Sequence, residues 1–131
     1  MSLRTAVILA GGRGTRLSEM TSVLPKPMVP IGDHPILWHI MKYFGHYGVS
    51  RFIICAGYKS SLIKEFFLNY RTHTSDLEID LRAQTVNVLS DRSENWVVSI
   101  VDTGEDSNTG GRLARIRELI ATEHAVYMTY G

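Results

Sequence analysis

"TAVILAGGRGTRL", Thr5–Leu17, decides how the rest of the chain is read: a short apolar run passes without a break into glycines, arginines and a threonine. Thr5–Ala10 is rich in aliphatic side chains on successive positions, the pattern of a strand covered on both faces. Gly11, Gly12 and Gly14 then free the backbone to turn sharply and to approach a ligand closely, because no Cβ stands in the way. Successive N–H groups in such a turn form a concave anion site. Arg13 and Arg16 add fork-shaped donors suited to phosphate oxygens, and Thr15 adds a hydroxyl. A polyphosphate fits this chemistry. Taken alone, the same residues also make a plain strand-to-helix turn with solvated arginines; the position directly after an apolar strand favours the anion reading.

Two familiar phosphate loops fail on these residues. A Walker loop requires Gly-Lys-Ser/Thr at its end, whereas Gly14 is followed by Thr15 and Arg16. A dinucleotide loop requires a third glycine to pack helix against strand, and Leu17 stands there. The acid expected about twenty residues farther on is matched in distance only by Asp33, which lies in a proline-rich turn instead of at a strand end.

Outward from this loop the chain alternates strands with helices. After "TSVLPKPMVPIGDHP" a helix is expected from about Pro35, since proline suits a first turn, with Ile36, Leu37, Ile40, Met41, Phe44 and Tyr47 at helical spacing and Gly48 as its stop. "RFIICAG" follows as a second buried strand. Ser60 or Ser61 is expected to cap a second helix carrying Leu62, Ile63, Phe66 and Phe67 and ending near Tyr70. "DLEIDL" and "TVNVLS" alternate as half-buried strands do, "WVVSIVDTG" is a further strand, "RLARIRELI" a helix and "AVYMTYG" a last strand. The order β-α-β-α-β-β-β-α-β predicts an α/β, Rossmann-like layered fold with a mainly parallel, mixed sheet. In such sheets ligands bind at the carboxyl ends of the strands. The glycine-containing loops "GGRGTRL", "GYKS" and "TGEDSNTGGRL" follow strands, and Gly131 marks another strand exit.

Composition sets the frame. A chain of 131 residues suits one domain, with 44% hydrophobic residues to build a core and 21% charged residues for its surface. A formal net charge of +1 provides no general attraction to nucleic acid or to a membrane surface, so neither is expected as a partner and any anion site is local. Cys55 is the single cysteine and cannot form an internal disulfide, which predicts a reducing, cytoplasmic setting. The opening residues lack the apolar length of a signal peptide, and no apolar run approaches the roughly eighteen residues of a spanning helix.

"LAGGRGTRL" followed by "LPKPMVPIGDHPIL" resembles the paired motifs of the sugar-phosphate nucleotidylyltransferases, which join a nucleoside triphosphate to a sugar 1-phosphate and release pyrophosphate. "GYKSSLIKEFFLNYRTHTSDLEIDL" and "VVSIVDTGEDSNTGGRL" are similar to the corresponding parts of the glucose-1-phosphate cytidylyltransferases, which make CDP-glucose from CTP. The similarity runs from Thr5 to Gly131 and corresponds to about the first half of a typical family member, so the chain is expected to be the N-terminal, nucleotide-binding portion, residues 1–131, of a longer catalytic domain.

The resemblance implies site residues. Backbone groups of Leu9, Ala10, Gly11 and Gly12 would hold the nucleoside, and Arg13, Gly14, Thr15 and Arg16 the triphosphate, with Arg16 and Lys26 acting on the phosphates being rearranged. Pro25 and Pro27 restrict the backbone on either side of Lys26. A lone loop lysine is ordinarily solvated; beside the glycine loop the functional reading is preferred. Gly110 and Gly111 would line the nucleotide pocket, Ser107 stands where relatives tend to carry a threonine, and Arg112 would bind phosphate. An arginine at a helix start opposes the dipole unless an anion is present, which supports that role over simple exposure.

Magnesium is the implied cofactor, but the family's metal aspartate follows the glycine matching Gly131, so no metal ligand is assigned in this chain and impaired turnover is expected of it. Asp102 and Asp106 lie near the relevant loops without a motif to promote them. The complete enzyme is expected to be a homo-oligomer. His34, His39, His46, His73 and His124 show no zinc spacing and are read as scattered polar residues, while Trp38, Phe44 and Phe67 fit core or interface positions. Two alternatives are kept: a nucleotide-binding or assembly module without catalysis, and a relative using dTTP or UTP.

Overall fold

The computed structural model describes residues 4–10, 24–91, 94–103, 116–117, 120 and 126–130. The first strand, β1 (Arg4–Ala10), is followed by a short 3-10 turn at Lys26–Met28 and the two-residue strands β2 (Pro30–Ile31) and β3 (His34–Pro35). Helix α1 (Ile36–His46), strand β4 (Val49–Ala56), helix α2 (Ser60–Leu68) and helix α3 (Tyr70–Thr74) come next. The remaining strands are β5 (Asp76–Asp80), β6 (Thr85–Ser90), β7 (Val97–Asp102) and β8 (Val126–Tyr130).

The central sheet has the order β7-β4-β1-β8, and every pairing in it is parallel. Its register sets Ala10, Ala56 and Asp102 side by side at the carboxyl ends, with Tyr130 level with Leu9. The antiparallel component expected of a mixed sheet lies outside this sheet: β2 pairs with β3, and β5 with β6, as separate two-stranded units.

Alternation along each strand feeds two apolar layers. Ala6, Ile8, Ala10, Phe52, Ile54 and Ala56 face one way, packed with Leu37 and Met41 of α1 and Ile63 of α2. Val7, Leu9, Ile53 and Cys55 face the other way, packed with the helical residue Ile116 and the half-buried Ile120. This division follows from strand order. From β1 to β4 to β7 the chain steps in one direction, with α1 and α2 on one face; reaching β8 on the far side of β1 reverses the direction, and right-handed crossovers then place the connecting helix on the opposite face. Both faces are covered, which is why β1 and β4 tolerate continuous apolar sequence.

Local signals explain most boundaries. Pro35 precedes α1 with extended backbone, and Gly48 at φ 92° ends the connection after Tyr47, donating its N–H to the Gly45 carbonyl at 3.0 Å. Tyr47 itself is the exposed C-cap residue, not a buried helical position. One expectation needs correction. Neither serine caps α2: Lys59 occupies the N-cap without a side-chain hydrogen bond, and Ser60 is the first helical residue, its N–H bonded to the Gly57 carbonyl at 3.0 Å. The end of α2 falls at Leu68, close to the expected Tyr70; the Asn69 side-chain amide donates back to the Glu65 carbonyl at 2.9 Å, and the separate short α3 begins at Tyr70.

Leu37 is fully buried between α1 and the sheet. Leu37→Ala is expected to lower unfolding stability by about 2–5 kcal/mol, read from urea denaturation followed by circular dichroism.

Candidate nucleotide site at the strand carboxyl ends

The order β7-β4-β1-β8 contains one reversal, between β1 and β8. The chain that leaves β1 covers one face of the sheet and the chain that arrives at β8 covers the other, and open α/β sheets take their ligands beyond the carboxyl ends of the strands at such a reversal. Leu9 and Ala10 stand at that end of β1, buried to their side chains, so only their backbone can face a ligand there. Gly11, Gly12, Arg13, Gly14, Thr15 and Arg16 continue the chain from Ala10, and Gly131 continues it from Tyr130. All of these, with Ser107, Gly110, Gly111 and Arg112, lie outside the described residues.

Lys26 is described, and its backbone is held from several sides. Pro25 and Pro27 are buried, the Met28 N–H donates to the Pro25 carbonyl at 2.9 Å, and the Val29 N–H to the Lys26 carbonyl at 3.1 Å. Val29 in turn accepts the Ile36 N–H at 2.9 Å, tying the turn to the start of α1. Because α1 leads through a two-residue link into the amino end of β4, its own amino end lies toward the strands' carboxyl ends. The fold therefore brings Lys26 and the end of β1 to the same edge of the sheet, with Met28 packed on the layer that contains Ala10.

The turn is braced further by aromatic side chains. His34 stacks on Trp38 at 3.8 Å between ring centroids, and the His39 ring nitrogen Nε2 lies 2.8 Å from the Ile31 carbonyl as its donor. Trp38 donates its indole N–H to the Tyr70 hydroxyl at 2.7 Å, and Lys42 sits over the Trp38 ring while binding Glu94. These histidines are structural contacts of the β2–β3 turn. Among the described residues no group of three His, Cys, Asp or Glu side chains comes together to hold a metal ion. Phe44 and Phe67 pack against the core beside α1 and α2.

At the exit of β4, Lys59 adopts left-handed backbone at φ 51° and ψ 42°, with its ammonium 5.5 Å from the Tyr58 ring centroid. Left-handed backbone is costly for a residue with a Cβ and concentrates at functional edges. "GYKS" marks the loop in the sequence, but composition carries no sign that Lys59, and not Gly57, takes the strained position. Thr103, on the next strand exit, donates its N–H to the Ala56 carbonyl at 2.9 Å and closes β7 onto β4.

Residues 5–128 match the Nucleotidyl transferase family model. The chain belongs to the nucleotidyl transferase family. A glucose-1-phosphate cytidylyltransferase of Salmonella typhimurium is 54% identical over 126 residues, which cover 96% of this chain and 49% of that protein. A UTP–glucose-1-phosphate uridylyltransferase of Haloferax volcanii is 30% identical over 119 residues, covering 86% of this chain and 49% of that one. Among solved structures, HddC from Yersinia pseudotuberculosis superposes with a TM-score of 0.63 at 27% identity, covering 98% of this chain and 47% of that one. The chain thus spans about half the length of the curated relatives it matches. No helix among the described residues of this family member is long and apolar enough to cross a membrane.

Tyr70 links this bracing to pH. Burial raises its pKa above the ordinary value of 10.0, assisted by Glu94 and opposed by the Trp38 hydrogen bond and Lys42. An acid with a raised pKa stays protonated in the folded chain after it ionises in the unfolded one. Its contribution is constant below pH 10 and falls as pH climbs from there toward the folded value. Tyr70→Phe is expected to cost about 1 kcal/mol at neutral pH and to flatten that alkaline loss, measured by denaturant titrations at pH 8 to 11.

Proposed function

We propose that this chain carries the nucleotide-binding half of a sugar-1-phosphate nucleotidyltransferase that uses CTP and glucose 1-phosphate and yields CDP-glucose and pyrophosphate. The carrying observation is the 54% identity with a glucose-1-phosphate cytidylyltransferase across 96% of the chain. The switch point between β1 and β8 supports it, since the strand exit into the glycine loop and Lys26 share one edge of the sheet.

In the proposed reaction a phosphate oxygen of the sugar 1-phosphate attacks the α-phosphorus. The bond from that phosphorus to the oxygen bridging toward the β-phosphate breaks in line, and its electrons leave with pyrophosphate. No protein nucleophile is required, so catalysis rests on positioning and charge neutralisation. Leu9 and Ala10 would present backbone groups to the nucleoside, and the amides of Gly11, Gly12 and Gly14 would cradle the phosphates with Thr15, Arg13 and Arg16. Lys26 would neutralise charge on the α-phosphate and the departing pyrophosphate. Gly110, Gly111, Ser107 and Arg112 would close the nucleotide from the β7 side, and Gly131 from the β8 side.

Magnesium is proposed for the complete enzyme. The described residues do not make up a site for it. Homo-oligomeric assembly and a cytoplasmic setting complete the proposal. Identity to the cytidylyltransferase exceeds that to the uridylyltransferase, and this favours CTP over UTP or dTTP as the nucleotide.

CDP-glucose formation by the 131-residue chain and by a version extended through its natural reading frame tests the reaction. Turnover is expected from the extended protein, and Lys26→Ala within it is expected to lower kcat by about 10²–10³-fold, the loss typical of one electrostatic donor. Absence of CDP-glucose from the extended protein, with nucleotide still bound, favours the non-catalytic module. Nucleotide choice is read separately: CTP at 100 times its Kd is expected to stabilise the chain by about 2.7 kcal/mol in thermal unfolding, with smaller shifts for UTP and dTTP at equal concentration.

A further inference from the structure

Between the turn that carries Lys26 and the start of α1 stands the β2–β3 hairpin, two residues on each side, with Gly32 at φ 66° and Asp33 as its loop. Hairpins this short are marginal on their own. Core packing reaches only the base of this one, where Val29 and Pro35 are buried, whereas Pro30, Ile31, Gly32 and Asp33 are all exposed. The tip is held from α1 instead. The His39 ring nitrogen Nε2 donates to the Ile31 carbonyl at 2.8 Å, and the His34 ring stacks on Trp38 at 3.8 Å between centroids. A carbonyl only accepts, so Nε2 carries the proton in this contact. Trp38 is fixed in turn from α3, by its hydrogen bond to the Tyr70 hydroxyl.

Hairpin and lysine form one mechanical piece. Both backbone groups of Val29 are committed, its N–H to the Lys26 carbonyl at 3.1 Å and its carbonyl to the Ile36 N–H at 2.9 Å. Pro25 and Pro27 stiffen the Lys26 turn, because each fixes its own φ and Pro27 also restricts the residue before it. A stiff turn carries any tilt of its attachment through to the side chain it bears.

We propose that His39 is a positioning residue for Lys26: its hydrogen bond to Ile31 sets the tilt of the β2–β3 hairpin and, through Val29, the aim of the lysine. The inference rests on the nucleotidyl-transfer reading above, in which Lys26 neutralises charge on the phosphates being rearranged. His39 acts through the turn and not by contact with substrate. Charge on the departing pyrophosphate develops in the transition state, so a lysine aimed wrongly lowers kcat and leaves KM for the sugar phosphate nearly unchanged.

The test uses the protein extended through its natural reading frame. His39→Leu keeps much of the ring's bulk and removes the donor, whereas His39→Gln keeps an N–H at similar reach. For CDP-glucose formation, kcat is expected to fall about tenfold in His39→Leu with KM for glucose 1-phosphate within about twofold, and to recover in His39→Gln. In the Lys26→Ala background His39→Leu is expected to add no further loss, since the group it positions is gone. Hydrogen exchange at the Val29 and Ile36 amides is expected to speed about tenfold in His39→Leu, while the buried residues Phe52–Cys55 of β4 keep their protection. Should His39→Leu lose its far-ultraviolet circular dichroism, His39→Ala replaces it. An unchanged kcat in His39→Leu, a His39→Gln as slow as His39→Leu, or a further loss on top of Lys26→Ala would each overturn the proposal. No CDP-glucose from the unaltered extended protein overturns the transfer reading instead; the exchange rates then decide the brace alone, and equal rates at Val29 and Ile36 with and without the His39 donor overturn it.

Discussion

Parallel pairing of β1 with a strand on each side is the constraint from which the rest of the architecture follows. Parallel neighbours cannot be joined by a tight turn, so each needs a crossover, and crossovers of one hand place their helices according to the direction of travel. Travel outward through β4 to β7 covers one face with α1 and α2; the return to β8 covers the other with the helical residues Ile116 and Ile120. The aliphatic run of β1 is buried because both faces are covered, and the candidate ligand edge lies where the two directions part. Core and candidate site are consequences of the same pairing.

The position of Lys26 at that edge depends on the packing behind it. Burying Pro25 and Pro27 on either side of Lys26 leaves the lysine's backbone little freedom, while the Val29–Ile36 hydrogen bond fixes the turn to α1. Trp38 extends this support outward, as one indole joins His34 of the β2–β3 turn, Tyr70 of α3 and Lys42 with its partner Glu94.

How much could be read beforehand varies with the range of the interaction. The strand spans around "TAVILA", "RFIICA" and "WVVSIV" follow from local apolar patterning, as does α1 from its spacing of Leu37 and Met41. Alternation in "DLEIDL" and "TVNVLS" identified strands correctly but carried no information about whether they enter the main sheet, and they form a hairpin of their own. The capping role expected of Ser60 or Ser61 went instead to Lys59, since the turn after Gly57 draws the Ser60 N–H into a backbone bond and starts the helix there.

The sequence by itself determined the chemistry available: a glycine loop with Arg13, Thr15 and Arg16 directly after a buried strand, a lysine locked between prolines, and no second cysteine for Cys55. These are properties of adjacent residues, and adjacency is enough to read them. Only the tertiary structure decided the order β7-β4-β1-β8 and the meeting of Trp38 with Tyr70 across 32 positions. Each depends on which distant segments exclude water from one another, a choice settled by the packing of the whole chain and written in no single stretch of it.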